Sequence, residues 1–299
     1  MTNSKFSKIN SNVTSSALYT VGTVIGQGMT FIGGVVFTRI MSQSDYGMYS
    51  TYYAMMAILV VFVGANLYVP LNNAYIDYKD VAQDVKKAML TLSLLIFIGV
   101  LIVFFWLFSV FNRHYSIIFG LCMPIHAYSF FLVNYEMYSA NMEGRTFHKM
   151  LLLILPNTLQ FLCSIIPFLF LKNVTLEARI IGSTIGVAIC GFVPLTKTLG
   201  SRGKAFVTKY WRYGLRISLP SIFSSISAMI MQQSDRVMIT NLCGAEQTAV
   251  YSFIYYVGYA IEAVDQALKA VFMAWIYRAI DGDNLDNVQL IQKWYLILM

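Results

Sequence analysis

Apolar residues occur along the sequence in long runs that are separated by short polar segments. A helix needs about 20 predominantly apolar residues to cross a bilayer, and eight of the runs are close to that length. The pattern therefore predicts an all-α polytopic membrane protein with about eight transmembrane helices. The predicted spans are 17–38, 48–75, 88–111, 115–138, 150–171, 180–196, 215–238 and 249–276.

Composition supports the same class. The chain is 58% hydrophobic and 12% charged, whereas an average soluble domain carries about 25% charged residues. A soluble protein of this composition would expose far more apolar surface than water tolerates. The net charge of +7 does not indicate nucleic acid as a partner, because the basic residues lie between apolar runs and form no continuous basic face.

The basic residues instead predict orientation. Of the 21 Lys and Arg residues, 15 fall on one side of the predicted spans and 5 on the other, among them Arg179, while Lys269 lies in the eighth span. Cytoplasmic loops carry the excess of basic residues, so we expect a cytoplasmic N-terminus. The polar first 16 residues precede an apolar run that is too long for a signal peptide, which predicts a retained first span.

No pattern in the sequence indicates enzyme chemistry, a cofactor or a metal ion. The four cysteines are far apart and form no CxxC, and the three histidines lack the HExxH spacing. Neither a P-loop nor a GxSxG motif occurs. We therefore expect a protein that is not an enzyme.

Two segments about 200 residues apart are similar. Residues 45–53 open the second predicted span and residues 247–255 open the eighth, and both leave the predicted outer face in the same direction. Six spans separate them, which is typical of transporters built from two parallel six-helix halves. Recurring aromatic residues at the membrane interface are the competing explanation. The identical pairs are Tyr49 and Tyr251, Ser50 and Ser252, and Tyr53 and Tyr255.

Short motifs along nearly the whole chain resemble those of one transporter family. They are Arg39-Ile-Met, Asp45-Tyr-Gly-Met-Tyr49, Leu219-Pro220, Asp235-Arg-Val-Met-Ile239, and Gly244 followed by Val250-Tyr-Ser252. In these the chain resembles the polysaccharide-transporter branch of the multidrug/oligosaccharidyl-lipid/polysaccharide exporter superfamily, which contains the O-antigen and capsule repeat-unit flippases. Ala249 stands where that family often has glycine.

The resemblance implies a flippase or exporter in the plasma (inner) membrane of a bacterium. Such a protein moves polyprenyl-diphosphate-linked oligosaccharide to the outer leaflet for synthesis of capsule or lipopolysaccharide O-antigen. Its implied partners are that lipid-linked oligosaccharide, membrane lipids and coupling ions, without nucleic acid. A multidrug or cation antiporter of the same superfamily is an alternative, and an inactive truncated fragment is another.

The resemblance also divides the chain. Residues 1–196 correspond to a first six-helix lobe, 197–214 to a basic cytoplasmic linker and 215–299 to the start of a second lobe. The second lobe looks truncated, because the apolar segment that starts at Trp294 has only six residues. Six basic and four aromatic residues lie between positions 197 and 216, and we expect this segment to lie on anionic lipid headgroups.

Charged residues inside or at the ends of spans are the candidate substrate or ion site, because charges within a bilayer are costly. Glu262, Asp265 and Lys269 share one face of the eighth span, where Asp265 and Lys269 are alternatively an internal ion pair. Arg39 and Arg236 could bind a diphosphate or extend to the membrane interface. The neighbouring Asp235 could offset the charge of Arg236.

Overall fold

A computed structural model describes the backbone of residues 2–111, 115–170, 175–201 and 203–258, with side chains from Leu18 onward. This part of the chain is helical and contains no strand. Seven of its helices are long and apolar enough to cross a membrane. The helices are α1 (Thr2–Ile40), α2 (Gln43–Val63), α3 (Val69–Asp77), α4 (Ala82–Phe111), α5 (Ile117–Met142), α6 (Thr146–Phe170), α7 (Leu176–Gly200) and α8 (Thr208–Cys243). Residues 245–258 are also helical and are called α9 here.

The all-α membrane fold that the sequence predicts is confirmed, and local signals explain where the helices begin. Ser42 precedes α2, and its hydroxyl accepts a hydrogen bond from the backbone N–H of Asp45. Ser116 precedes α5 and accepts from the N–H of Phe119 in the same way. A serine at this position satisfies one of the N–H groups that the first helical turn leaves free.

The second predicted span is wrong as a single helix, because the chain breaks between α2 and α3. Gly64 follows the last residue of α2, and Ala65 and Asn66 both adopt positive φ, 45° and 51°. Pro70 then stands in the first turn of α3, where its missing N–H and fixed φ are tolerated. Residues other than glycine rarely adopt positive φ, so surrounding contacts must hold this backbone. Asn66 supplies one such contact, donating to Ser225 Oγ on α8 at 2.8 Å.

Small residues allow α6 and α7 to approach closely. The carbonyl oxygens of Cys163 and Leu159 on α6 occupy the space that a Cβ would need at Gly182 and Gly186 on α7. Glycine is typical of such contacts in membranes, where packing drives helix association. α6 therefore packs along α7, and α1 and α5 pack beside this pair.

α8 packs against α2, α3 and α4, which joins residues 208–243 to the first helices. Most of the segment predicted as a linker is helical, since its first residues complete α7 and its last residues begin α8. Near the start of α8, Trp211 donates to the carbonyl of Ala88 at 2.9 Å. Near its other end, the Thr51 and Thr240 hydroxyl oxygens are 2.5 Å apart. The core between these points contains fully buried aromatic side chains, namely Tyr52, Phe119, Tyr128, Phe131 and Tyr135.

Candidate functional site

A small cavity lies among α1, α2, α6 and α7, in the half of the bundle that the charge bias places toward the outer face. Its volume is about 50 Å³, and one water needs roughly 10–15 Å³ by this measure, so it has room for a few waters. The lining residues are Met29, Thr30, Gly33, Gly34, Phe37, Tyr49, Tyr53, Asn157, Gln160, Phe161, Ser164, Arg179 and Tyr256. Of these, Arg179 is the only charged residue.

Arg179 lies on the first turn of α7 and is 4% exposed. Its guanidinium carbon lies 3.5 Å from the ring centre of Tyr49 and 3.9 Å from that of Phe37. Nη1 contacts the sulfur of Met41 at 3.1 Å, and Nε is buried without a hydrogen-bond partner. Aromatic faces attract cations by their quadrupole, but no carboxylate neutralises this charge in the part of the chain that the structure describes.

Neutral polar groups complete the wall around Arg179. The amide of Gln160 donates to the hydroxyl of Tyr49 at 3.2 Å. Asn157 and Ser164 lie on the same helix, α6, and also line the cavity. The cavity therefore presents one cation together with amide and hydroxyl groups, which is a favourable environment for an anion.

The sequence did not single out Arg179. It stands one residue before the sixth predicted span, so the sequence predicts an outer loop residue. α7 begins earlier, at Leu176, so Arg179 is a helix residue that faces α1 and α2. Thr175, a residue type that often precedes helices, was the local signal for this earlier start. The burial of Arg179 had no local signal, because the rings that surround it come from distant segments.

Arg236, one of the predicted site residues, is also buried, with 4% exposure. Its Nη1 donates to Oε1 of Gln233 at 2.7 Å, its guanidinium carbon lies 4.6 Å from the ring centre of Tyr255, and its Nε is buried without a partner. Asp235 is exposed and accepts a hydrogen bond from Tyr251 at 2.7 Å. No ion pair joins Asp235 to Arg236 in the described chain, so the expected offset of charge does not occur by contact.

Arg39, another predicted site residue, is exposed near the end of α1 and lines a second cavity of about 530 Å³ between α1 and α9. The structure thus separates Arg39 from Arg179, since they line different cavities. The remaining predicted residues, Glu262, Asp265 and Lys269, lie outside the described residues. The rest of the lining of this second cavity is Val35, Thr38, Gln43, Tyr46, Ala249, Val250 and Phe253.

A cluster of charged side chains lies at the opposite, predicted cytoplasmic end, where α4, α5 and the α5–α6 connection meet. Glu136, buried on α5, accepts from Lys86 at 3.1 Å and from Arg145 at 2.9 Å. Arg145 also binds Glu143 at 2.6 Å, and His148 Nε2 lies 3.3 Å from Glu136. These charges are mutually paired, which makes the cluster a structural connection between helices.

Glu143 in this cluster has a pKa of about 2. Burial raises the pKa of its carboxyl, but the hydrogen bond from Tyr75 and the nearby Lys86 ammonium outweigh burial and lower it. Glu143 is therefore ionised at neutral pH.

The described residues contain no group of three or more His, Cys, Asp or Glu side chains arranged to hold a metal ion. His126, the most buried histidine of the described part, binds the hydroxyl of Tyr52 through Nδ1 at 3.0 Å and stacks on Phe130.

Solved structures of membrane transporters share this fold. A MATE protein in complex with MaL6 is 16% identical, with a TM-score of 0.58 over 95% of this chain and 68% of the other. An outward-facing multidrug resistance MATE family transporter of the MOP superfamily is 14% identical, with a TM-score of 0.55 over 95% and 69%. A MOP superfamily transporter from Pyrococcus furiosus, described by the reverse polarity of its binding pocket, is 15% identical, with a TM-score of 0.55 over 95% and 68%. The likeness shows that this chain has the fold of these solved structures.

The family follows from the sequence. The family model described as polysaccharide biosynthesis protein matches residues 13–272. The chain belongs to this family, and the resemblance drawn from the motifs is confirmed. No curated protein matches the chain.

Proposed function

We propose that the protein flips polyprenyl-diphosphate-linked oligosaccharide repeat units across the plasma membrane of a bacterium, for synthesis of capsule or lipopolysaccharide O-antigen. The observation that carries the proposal is the buried guanidinium of Arg179, which faces a cavity lined in part by amide and hydroxyl groups and has no carboxylate partner in the described chain. In this proposal Arg179 binds the diphosphate during passage.

A buried charge without a counter-ion is costly. An uncompensated buried ion costs several kcal/mol, and each desolvated cation–π contact returns about 2 kcal/mol or more but leaves the net charge in place. The guanidinium fork matches two phosphate oxygens, and it stays charged at any physiological pH. An anion that entered the cavity would supply the missing partner.

In this proposal the polyprenyl chain of the substrate occupies a different cavity from its diphosphate. The cavity beside Arg39 opens between α1 and α9, and most of its lining is apolar. A polyprenyl chain could lie there while its diphosphate contacts the arginines of the bundle. Arg236, which the structure buries on α8, would give the second lobe a cation as well.

Transport requires the packed helices to separate. At the predicted outer end, α2 and the first turn of α9 are in close contact: the carbonyl of Ala245 occupies the space of a Cβ at Gly47, and Gln43 donates to the carbonyl of Glu246 at 3.1 Å. The Arg179 cavity holds only a few waters. Release to the outer leaflet would open this contact and widen the cavity.

A multidrug or cation antiporter is the competing function within the superfamily. It would place carboxylates toward a cationic substrate, whereas the described lining of the Arg179 cavity contains no acidic residue. Charge therefore favours the anionic substrate.

Ligand binding by the purified chain separates the two functions. The chain would be placed in lipid nanodiscs and titrated with a polyprenyl-diphosphate oligosaccharide, with the corresponding neutral polyprenol, and with a hydrophobic organic cation such as tetraphenylphosphonium. We expect the diphosphate lipid to bind at least tenfold more tightly than the polyprenol. Tight binding of the organic cation without a preference for the diphosphate would refute the proposal and favour the antiporter.

A further inference from the structure

Three basic side chains project from the first three turns of α8. Lys209, Arg212 and Arg216 are all exposed, and their spacing of three and four residues places them on one helical face. Together with Thr208 and Tyr213 they line an open cavity of about 460 Å³. This set of three cations is called the α8 basic face below.

Acidic side chains do not neutralise the α8 basic face. In the described chain no ion pair involves its members, and the one cation–π contact joins Lys209 to the ring of Tyr78 at 5.3 Å. Asp77 lies nearby, where its carboxylate accepts a hydrogen bond from Tyr213 at 2.6 Å, and it forms no ion pair with these three described cations. The three charges are therefore free to bind an external anion.

Farther along α8 the same helical face becomes apolar. Leu219 and Phe223 follow Arg216 by three and seven residues, and they are 52% and 73% exposed. The rise of 1.5 Å per residue separates Arg212 from Phe223 by about 16 Å along the axis. A cationic end followed by an apolar length matches an amphiphile with an anionic headgroup.

Neighbouring aromatic residues hold this part of α8 against α4 and the end of α3. Trp211 donates to the carbonyl of Ala88 at 2.9 Å, and Tyr78 packs edge to face with Tyr210 and Tyr213. The preceding connection is fixed too, because Lys87 donates to the carbonyl of Ser201 at 2.7 Å. These contacts set the direction in which the basic face points.

We propose that the α8 basic face binds one anionic phospholipid of the cytoplasmic leaflet. The phosphate contacts Arg212 and Arg216, with Lys209 at its edge, and an acyl chain lies along Leu219 and Phe223. The charge bias of the sequence places this end of α8 on the cytoplasmic side, where anionic lipids attract basic segments. An open face that reaches the lipid directly fits an abundant membrane lipid, and this inference does not depend on the flippase function.

Lipid titration of the full chain tests the proposal. The chain would be held in neutral detergent micelles and titrated with phosphatidylglycerol or phosphatidylcholine, with bound lipid counted by native mass spectrometry. We expect phosphatidylglycerol to bind in preference. One cation near a membrane surface contributes about fivefold to binding, so Arg212→Gln/Arg216→Gln should weaken phosphatidylglycerol about 25-fold.

Two further variants distinguish binding at the α8 basic face from nonspecific attraction of the lipid to other basic residues. Lys79→Gln/Lys197→Gln removes two exposed basic residues from the same predicted side but outside the α8 basic face, and it should bind phosphatidylglycerol as the wild type does. Arg212→Lys/Arg216→Lys keeps the charge and should retain most binding, which separates loss of the site from loss of the fold. Equal weakening in the Lys79/Lys197 variant, or equal binding of both lipids by the wild type, would overturn the proposal. So would displacement of phosphatidylglycerol by an equimolar polyprenyl diphosphate, since that would assign the face to the substrate.

Discussion

The guanidinium of Arg179 stacks on the ring of Tyr49, with 3.5 Å between the guanidinium carbon and the ring centre. The two residues are 130 positions apart and join α7 to α2. Tyr49 belongs to the motif that resembles the polysaccharide-transporter family, so this contact places the motif beside the cationic cavity. It also indicates why an aromatic residue suits that position, because a ring can lie against a buried cation without neutralising it.

The hydroxyl contacts between α2 and α8 should contribute to stability. Thr240 Oγ1 lies 2.5 Å from Thr51 Oγ1 and 2.6 Å from Thr248 Oγ1. Thr240→Val removes both hydrogen bonds, and we expect a loss of about 1–3 kcal/mol, measured as a lower melting temperature in detergent. Thr196→Val is the matched control, since Thr196 is exposed and its hydroxyl donates only to the carbonyl of Val193 within its own helix. Equal melting temperatures for the two variants would contradict a stabilising role of the Thr240 hydroxyl.

The cluster around Glu136 should respond strongly to the loss of one member. Glu136→Gln leaves Lys86, which is 5% exposed, with Glu143 at 3.5 Å as its remaining carboxylate. We therefore expect a loss below the roughly 3–5 kcal/mol that a buried charge without any partner costs. We expect lower abundance and an earlier melting transition. Asp80→Asn, at an exposed position, should change neither.

A double substitution tests the reason for that loss. Lys86→Met added to Glu136→Gln removes the buried charge that has lost its nearer partner, and it should recover part of the stability. Additive destabilisation by the two substitutions would show that the pairing is not the cause.

The lowered pKa of Glu143 predicts a pH dependence. Its folded pKa is about 2, below the ordinary value of 4.5, so ionised Glu143 stabilises the fold above pH 4.5. That contribution decreases as the pH falls from 4.5 toward 2. The difference in melting temperature between wild type and Glu143→Gln should therefore be constant from pH 8 to 5 and smaller at pH 3.5. A difference in melting temperature that grows as the pH falls would contradict a lowered pKa of Glu143 in the folded protein.

The orientation can be tested with a natural thiol. Cys243 is exposed at the end of α8, which the charge bias places at the outer face, whereas Cys122, Cys163 and Cys190 are partly buried within spans. A membrane-impermeant maleimide should label intact cells at Cys243, and Cys243→Ser should abolish labelling. In that background, Lys204→Cys should become labelled only after the cells are lysed. Labelling of Lys204→Cys in intact cells would reverse the topology.

Hydropathy predicted most of the fold because it is a local property: an apolar run of sufficient length must form a helix to satisfy its backbone in lipid. It missed the break at Ala65 and Asn66, since a single polar residue does not end a long apolar run, and the contact of Asn66 with α8 is not visible in the sequence. Pro70 was a local signal for this break, and on its own it was compatible with a kink.

The candidate site was harder to predict from the sequence. Arg236 was recognised as a charge at a span end, but its burial by Gln233 and Tyr255 depends on packing. Arg179 precedes the sixth predicted span and so falls in a predicted loop. Its burial is not visible in the sequence, because the rings of Phe37 and Tyr49 that enclose it lie more than 120 positions away. The pairing of Lys86 with Glu136, 50 positions apart, was equally invisible, since ion pairs between helices leave no periodic pattern.

The most direct test of the account is the effect of Arg179 on binding of a polyprenyl-diphosphate oligosaccharide by the purified chain in nanodiscs. Hydrogen bonds to a charged group contribute about 1.5–3 kcal/mol, so Arg179→Gln should weaken binding about 10- to 150-fold. Arg179→Lys should weaken it less, because it keeps the charge but loses the fork. Lys149→Gln removes another cation held over a ring, that of Tyr19 at 4.3 Å, and should bind normally. Wild-type affinity in a folded Arg179→Gln variant would contradict the claim that Arg179 binds the diphosphate.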